Sequence, residues 1–316
     1  MTAEELVSML HDEKGVTFSN MDKSQAIIYL STTNNYLRTA SYRKNYLKHK
    51  SGPQAGKYID LDFAYLAELS TLDMHLRSLL LKMSIALEHA LKVYLLSVFE
   101  KQPLEDGYSI VTEYLGQNSK VIQSIESKID TIFTGGLIDK YFDLCYVCDP
   151  NSTQTRIKTI DCPIWVFVEL LSFGELLSFY DYCATKYSLP LPEWNVLNPV
   201  RSLRNACAHN NCILFCLAPD CDKTQPPSAI SQFVAKMNNI GIEERKKKLS
   251  CRPLFEITCL MYMYSKVISP NVFRNGITEL RDFTTNRLVK HIDYFDGNQL
   301  LSTSIKYLQK LVDNLS

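Results

Sequence analysis

Residues 68–96 read ELSTLDMHLRSLLLKMSIALEHALKVYLL, and the fold turns on this stretch. From Leu69 onward, apolar residues recur at 69, 72, 76, 79, 83, 87, 91, 94 and 98. Steps of three and four draw one stripe along a helix, which predicts a rod of roughly 40 Å. Arg77, Ser84 and Glu88 make a second, polar line, because steps of seven and four return to one face.

Outward from this helix the signals stay helical, with few alternating strand-like runs. Residues 101–107 read as a loop, and 134–136 and 149–155 as turns. Asp161-Cys162-Pro163 opens a helix, IWVFVELLSFGELLSFYDYCATKY, apolar on most sides and stopped by Pro190. Asn198-Pro199 supplies an N-cap and a first-turn proline for a short helix, VRSLRNACAH, which Asn210-Asn211 can end. A linker spans 219–228, and beyond it 230–249, 254–268 and 278–315 carry helical periodicity without a motif. The expectation is an all-α chain: a core over 1–218, a linker over 219–228 and a helical C-terminal extension over 229–316.

Composition narrows the function. Apolar residues are 46% of the 316, enough for a substantial core. Lys+Arg and Asp+Glu both number 34, so a polybasic polymer binder is excluded as a global description, while a local basic groove is not. There is no run of eighteen apolar residues, and the first residues are acidic where a signal peptide is basic. A cytoplasmic protein without a membrane partner is expected. Its ten cysteines then read as buried free thiols. Cys145-x-x-Cys148 has a zinc-like spacing, but no second pair completes it, and no metal or cofactor is expected.

Arg204-Asn205-Ala206-Cys207-Ala208-His209 carries the chemistry. An imidazole can move a proton to or from a ribose 2′-hydroxyl or a leaving oxygen. A guanidinium can stabilise the charge that builds on phosphorus in the transition state. Asn205 and His209, four apart, share a helix face, whereas Arg204 and His209, five apart, sit about 140° around an ideal helix. A long arginine side chain, a helix ending near His209, or a site shared across a dimer would each repair that separation. The spacing by itself also fits a surface pair or a core histidine, and Arg43 and His49 form a rival Arg…His pair.

VRSLRNACAHN resembles the signature of the HEPN superfamily, in which arginine is followed by a polar residue and histidine closes the motif. The segment over 68–96 and PIWVFVELLSFGELLSFY, over 163–180, resemble the Abi-like (AbiD/AbiF-type) abortive-infection proteins in the same order. YLRTASYRKNY, over 36–46, is a looser match to their tyrosine-rich beginning, and the likeness covers roughly residues 20–215. The resemblance implies an all-α HEPN-like helical bundle and a metal-independent endoribonuclease acting as an anti-phage toxin. It makes Arg204 and His209 the catalytic pair and Asn205 an accessory. In the related nuclease halves of type VI CRISPR effectors two such motifs form one site, so a chain with one motif is expected to be a homodimer. The implied partners are an RNA substrate and a small structured RNA or antitoxin-like inhibitor. The alternative is a non-catalytic RNA-binding regulator of the same family, or a helical scaffold without RNA affinity.

Three further features stay open. YLRTASYRKNYLKHK interleaves Tyr36, Tyr42 and Tyr46 with Arg38, Arg43 and Lys44, which suits RNA through phosphate attraction and stacking. A solvated face with tyrosines packed beneath it explains the same pattern. Glu88 could fix the His209 tautomer or pair with Arg204, or be a solvated carboxylate or an ion pair with Lys92, four residues on, whereas Glu169, in a very apolar helix, calls for a polar structural partner. The basic run over 245–248 reads as a solvated face.

Overall fold

A computed structural model describes residues 1–102, 106–149, 152–188, 194–219 and 225–315. The chain is all-α in class. Helices α1 (Ala3–Asp12), α2 (Lys23–Ile28), α3 (Tyr36–Ser41) and α4 (Phe63–Phe99) come first. Then α5 (Ser109–Gln117), α6 (Ser119–Glu126) and α7 (Gly135–Tyr141) lead into a hairpin of β1 (Phe142–Asp149) and β2 (Ser152–Ile160). Next come α8 (Ile164–Leu170), α9 (Phe173–Tyr187) and α10 (Trp194–Ala208). The last group is α11 (Ser228–Ala235), α12 (Ile242–Leu249), α13 (Arg252–Val267), α14 (Pro270–Asp282) and α15 (Gln299–Asp313).

The long helix is α4, and its buried face follows the expected stripe with a drift. Leu69, Leu72, Leu76, Leu80, Met83, Leu87, Leu91, Leu95 and Phe99 are buried, so Leu80, Leu95 and Phe99 replace the expected 79, 94 and 98. Repeated steps of four turn the face by about 40° each, and the buried side therefore winds around the rod.

Two expectations fail locally for identifiable reasons. The apolar run after Pro163 is two helices, because Ser172 caps α9. Its side chain accepts from the Glu175 amide while the Glu175 carboxylate accepts from the Ser172 amide. Asn198 is not a cap and Pro199 is not in a first turn: α10 already runs from Trp194, with Pro199 inside it. Burial of Val196, Leu197, Val200 and Leu203 offsets the hydrogen bond that this proline cannot make. The sheet, antiparallel from Phe142↔Ile160 to Asp149↔Ser152, is not among the sequence expectations, and it corrects the turn expected at 149–155: residue 149 ends β1 and 152–155 belong to β2. Residues 150–151 of that turn, Pro190 and residues 220–224 of the linker lie outside the described residues.

The chain forms two compact units: residues 1–86 with 195–316, and residues 87–194. The second holds an aromatic cluster, with Tyr114, Phe167 and Phe179 at centroid separations of 4.9–6.0 Å. There Glu169 receives the Lys92 ammonium at 2.9 Å, the polar partner its apolar helix called for. In the first unit the residues after 228 pack with those before 87. Arg287 donates to both carboxylate oxygens of Glu68, and the Asn298 amide donates to the Asn45 carbonyl at 3.0 Å. Among the described residues no helix is long and apolar enough to cross a membrane.

Candidate functional site

The segment RNACAH lies at the C-terminal end of α10, in the first unit. Leu203 and Cys207 point inward and are buried, which turns the neighbouring Arg204, Asn205 and His209 outward. Arg204 is half-buried; Asn205 and His209 are exposed. Burial pushes the Cys207 thiol up to about 12, so it stays protonated and inert beside them.

The helix stops directly at the motif. Asn210 takes a left-handed conformation, φ 59°, which asparagine tolerates better than most residues. The Asn210 amide donates to the Cys207 carbonyl at 3.1 Å and the Asn211 amide to the Ala206 carbonyl at 2.8 Å. These two bonds form a Schellman ending, with His209 as the last, half-helical residue. Of the expected ways to relieve the five-residue spacing, a helix ending near His209 is present. Arg204 Nη1 donates to Asn205 Oδ1 at 3.3 Å, so these two are brought together. Among the described residues, His209 makes no side-chain hydrogen bond to either.

Sequence reasoning missed what holds this end in place. Asp73 and Arg77, one turn apart on α4, are an ion pair at 0% and 5% exposure. Asp73 accepts from the Leu214 amide at 2.6 Å, and Arg77 donates to the Asn211 carbonyl at 3.0 Å. Buried Asn45 takes the same loop further on, donating to the Leu214 carbonyl at 2.9 Å and accepting from the Leu217 amide at 2.7 Å. Burial pushes the Asp73 carboxyl above its ordinary range, opposed by the Leu214 amide and the Arg77 charge. An aspartate and an arginine four apart on a buried apolar stripe were the available signal. Of the polar line read on α4, Arg77 and Ser84 are buried.

The tyrosine-rich segment meets this loop. Lys44 Nζ lies 4.9 Å from the ring centroid of Phe215, and Arg38 is near enough to Asp73 to favour its carboxylate. The Arg43 guanidinium sits 5.5 Å from the Tyr36 ring and 5.8 Å from the Tyr58 ring. Its Nε donates to the Ala40 carbonyl at 2.9 Å. Arg38 and Arg43 are half-buried, whereas Lys44 is exposed. Tyr42 and Tyr46 are packed beneath, so the segment has both a solvated basic face and a tyrosine underside.

Cys162, Cys183, Cys207, Cys251 and Cys259 are buried free thiols, and Cys145 and Cys212 are half-buried ones. Cys216 departs from that expectation, being disulfide-bonded. Among the described residues no group of three or more His, Cys, Asp or Glu side chains is arranged to hold a metal ion.

The profile of the Abi-like protein family matches residues 29–214. That is more than half of the chain, and the chain belongs to this family, with a role connected to abortive infection. The match takes in α3, α4, α8, α9 and the whole of α10 and stops at the loop that Asp73 and Asn45 hold. No curated protein and no solved structure matches the chain.

Proposed function

We propose that this protein is a metal-independent endoribonuclease of the HEPN type that acts in abortive infection. The observation that carries the reading is the ending of α10. Arg204, Asn205 and His209 stand on the accessible side of one helix end, and a buried ion pair and a buried asparagine grip the loop that follows.

In this reading the ribose 2′-hydroxyl attacks the adjacent phosphorus and the bond to the 5′-oxygen of the next nucleotide breaks. His209 handles the proton, taking it from the 2′-hydroxyl or giving it to the leaving oxygen. Arg204 stabilises the negative charge on the phosphoryl oxygens, with Asn205 holding its guanidinium from the side. The products are a 2′,3′-cyclic phosphate and a 5′-hydroxyl. Each chain contributes one motif, so two chains meeting about a two-fold axis would supply both a proton-transfer group and a second guanidinium. Lys44 and the arginines at 38 and 43 would attract the flanking strand.

The test is digestion of an RNA and of the same RNA carrying one deoxynucleotide at the cut position, in EDTA. Cleavage of the first alone, lost in His209→Ala and in Arg204→Ala at unchanged thermal stability, is the expected result. Cutting at the deoxynucleotide would rule out the mechanism. RNA binding by the wild type with no cleavage would mark the chain as a binding member of its family.

A further inference from the structure

Within the first compact unit a cavity of about 390 Å³ is lined by Lys44, whose ammonium also meets the Phe215 ring, and is walled by residues from both ends of the chain. Lys44, Leu47 and Ile59 come from the amino-terminal part; Lys247, Gly297 and Gln299 come from the region after the family match ends. The volume is at the low end of ligand pockets, about 300–1,000 Å³, and suits one small ligand rather than a helix or a peptide.

Its lining selects an anion with an apolar, hydrogen-bonding body. Lys44 and Lys247 are both exposed, and among the described residues neither forms an ion pair. Asp60, the carboxylate of the lining, is bonded to neither. Two lysines with no carboxylate partner among the described residues, 203 positions apart in sequence, give a positive wall in a chain whose formal net charge is zero. Leu47 and Ile59 offer an apolar surface to a ring face, and the Gln299 amide can both donate and accept at a ring edge.

The position relates the cavity to the motif. Lys44 faces the Phe215 ring, and Phe215 follows His209 by six residues, at most about 22 Å along the chain. A single strand lying over an aromatic ring beside a lysine is a common mode of sequence-tolerant binding, through stacking and phosphate attraction together.

We propose that this cavity receives one nucleotide of the RNA substrate, to one side of the cleaved phosphate. Lys44 and Lys247 take its phosphate, and Leu47 and Ile59 pack against its base. The assignment rests on the ribonuclease reading above and adds to it a second point of contact, built by residues outside the family match. It makes the enzyme favour strands of more than about four nucleotides, the low end of single-strand site sizes.

The test uses the full chain and compares cleavage of a twelve-nucleotide RNA with that of a trinucleotide centred on the same cut. Two variants challenge the cavity: Lys247→Glu reverses one wall charge, and Gly297→Phe fills the space. A Cβ at Gly297 meets nothing within 4 Å and Lys247 is exposed, and an unchanged melting midpoint for each variant shows that its fold is kept. The wild type is expected to favour the longer RNA in kcat/KM, and each variant to lose that preference at least tenfold. If the wild type cuts RNA and both variants keep its length preference, the cavity assignment falls while the ribonuclease reading stands. If the wild type cuts no RNA, both fall. A free mononucleotide that binds tightly and is lost in Lys247→Glu, with the length preference intact, would also overturn the proposal.

Discussion

Replacing Arg77 by methionine tests whether the buried ion pair sets the end of α10. Asp73 and Arg77 are 0% and 5% exposed, so the substitution leaves a carboxylate out of water with the Leu214 amide as its remaining strong donor. Removing one member of a buried pair costs about 3–5 kcal/mol, much of it the charge left behind. The Asn211 carbonyl loses its donor in the same step. The pH dependence has a definite sign. Burial already holds the Asp73 carboxyl above 3.8, and losing the guanidinium raises it further. A carboxyl whose pKa is higher folded than unfolded costs stability when ionised, and that cost fades as pH falls toward the unfolded value. The deficit of Arg77→Met should therefore be largest near pH 7 and smaller at pH 5. Adding Asp73→Asn removes the stranded charge but keeps an acceptor for the Leu214 amide, so the double variant should recover about 2 kcal/mol or more of the loss. Urea unfolding followed by circular dichroism gives the free energies. Amide exchange over residues 211–214 reports whether the loop loosens with them. A loss below about 1 kcal/mol for Arg77→Met, or a double variant no more stable than the single, would refute the reasoning.

Three other outcomes follow from the same kind of reading. Lys248, 3% exposed, donates to Thr303 and Ser304, and burial lowers its pKa from 10.5 to about 8. The unfolded chain then binds the extra proton between those values, so wild-type stability gains with rising pH there. Holding Lys248 charged costs about 3 kcal/mol at pH 7, against about 1 kcal/mol for each hydrogen bond. In urea titrations Lys248→Met should be about 1 kcal/mol more stable than the wild type at pH 7 and about 1 kcal/mol less stable at pH 10; a difference that ignores pH would contradict this. Asn45→Ala strands the Leu214 carbonyl and the Leu217 amide, and should cost about 2–4 kcal/mol in the same titration. Ser172→Ala removes the cap that starts α9 and should cost about 1 kcal/mol, read as a lower midpoint with an unchanged slope.

What was legible in the sequence divides by the distance over which each cause acts. The long helix and the ending at Asn210 follow from spacing and from one residue's tolerance of a positive φ, both local. The break inside the run after Pro163 was equally local. Ser172-Phe173-Gly174-Glu175 is a capping box, obscured by apolar residues on both sides. The second strand, STQTRIKTI, alternates Thr153, Thr155, Ile157 and Thr159 with polar residues, a period of two that the helical frame around it hid. The grip on the motif is different in kind. Asp73 reads as one polar residue on a helix until the Leu214 amide, 141 positions later, is placed against it. Asn45 carries no signal of its own in the sequence, and it closes on Leu214 and Leu217 from as far away. No periodicity marks such contacts, because a loop's backbone groups are the same whatever its side chains, and only the requirement that buried polar groups be paired connects them.

That requirement also bears on why the site sits where it does. A helix end exposes carbonyl groups that nothing within the helix can satisfy, and here Arg77 and the amides of Asn210 and Asn211 account for them or for the turn that follows. With those groups settled by buried partners, His209 is held by its backbone alone, while its ring makes no hydrogen bond among the described residues. Under the ribonuclease reading proposed above, a ring without a fixed partner is left open to take or to give the proton. In the proposed mechanism α4 and the loop over 211–217 hold the site, and the three side chains at the end of α10 would act on the RNA. Substitutions in the first group should therefore lower stability and activity together, and substitutions in the second should lower activity with the unfolding free energy unchanged. An Arg204→Ala or His209→Ala protein that unfolds markedly more easily than the wild type would show that this division is wrong.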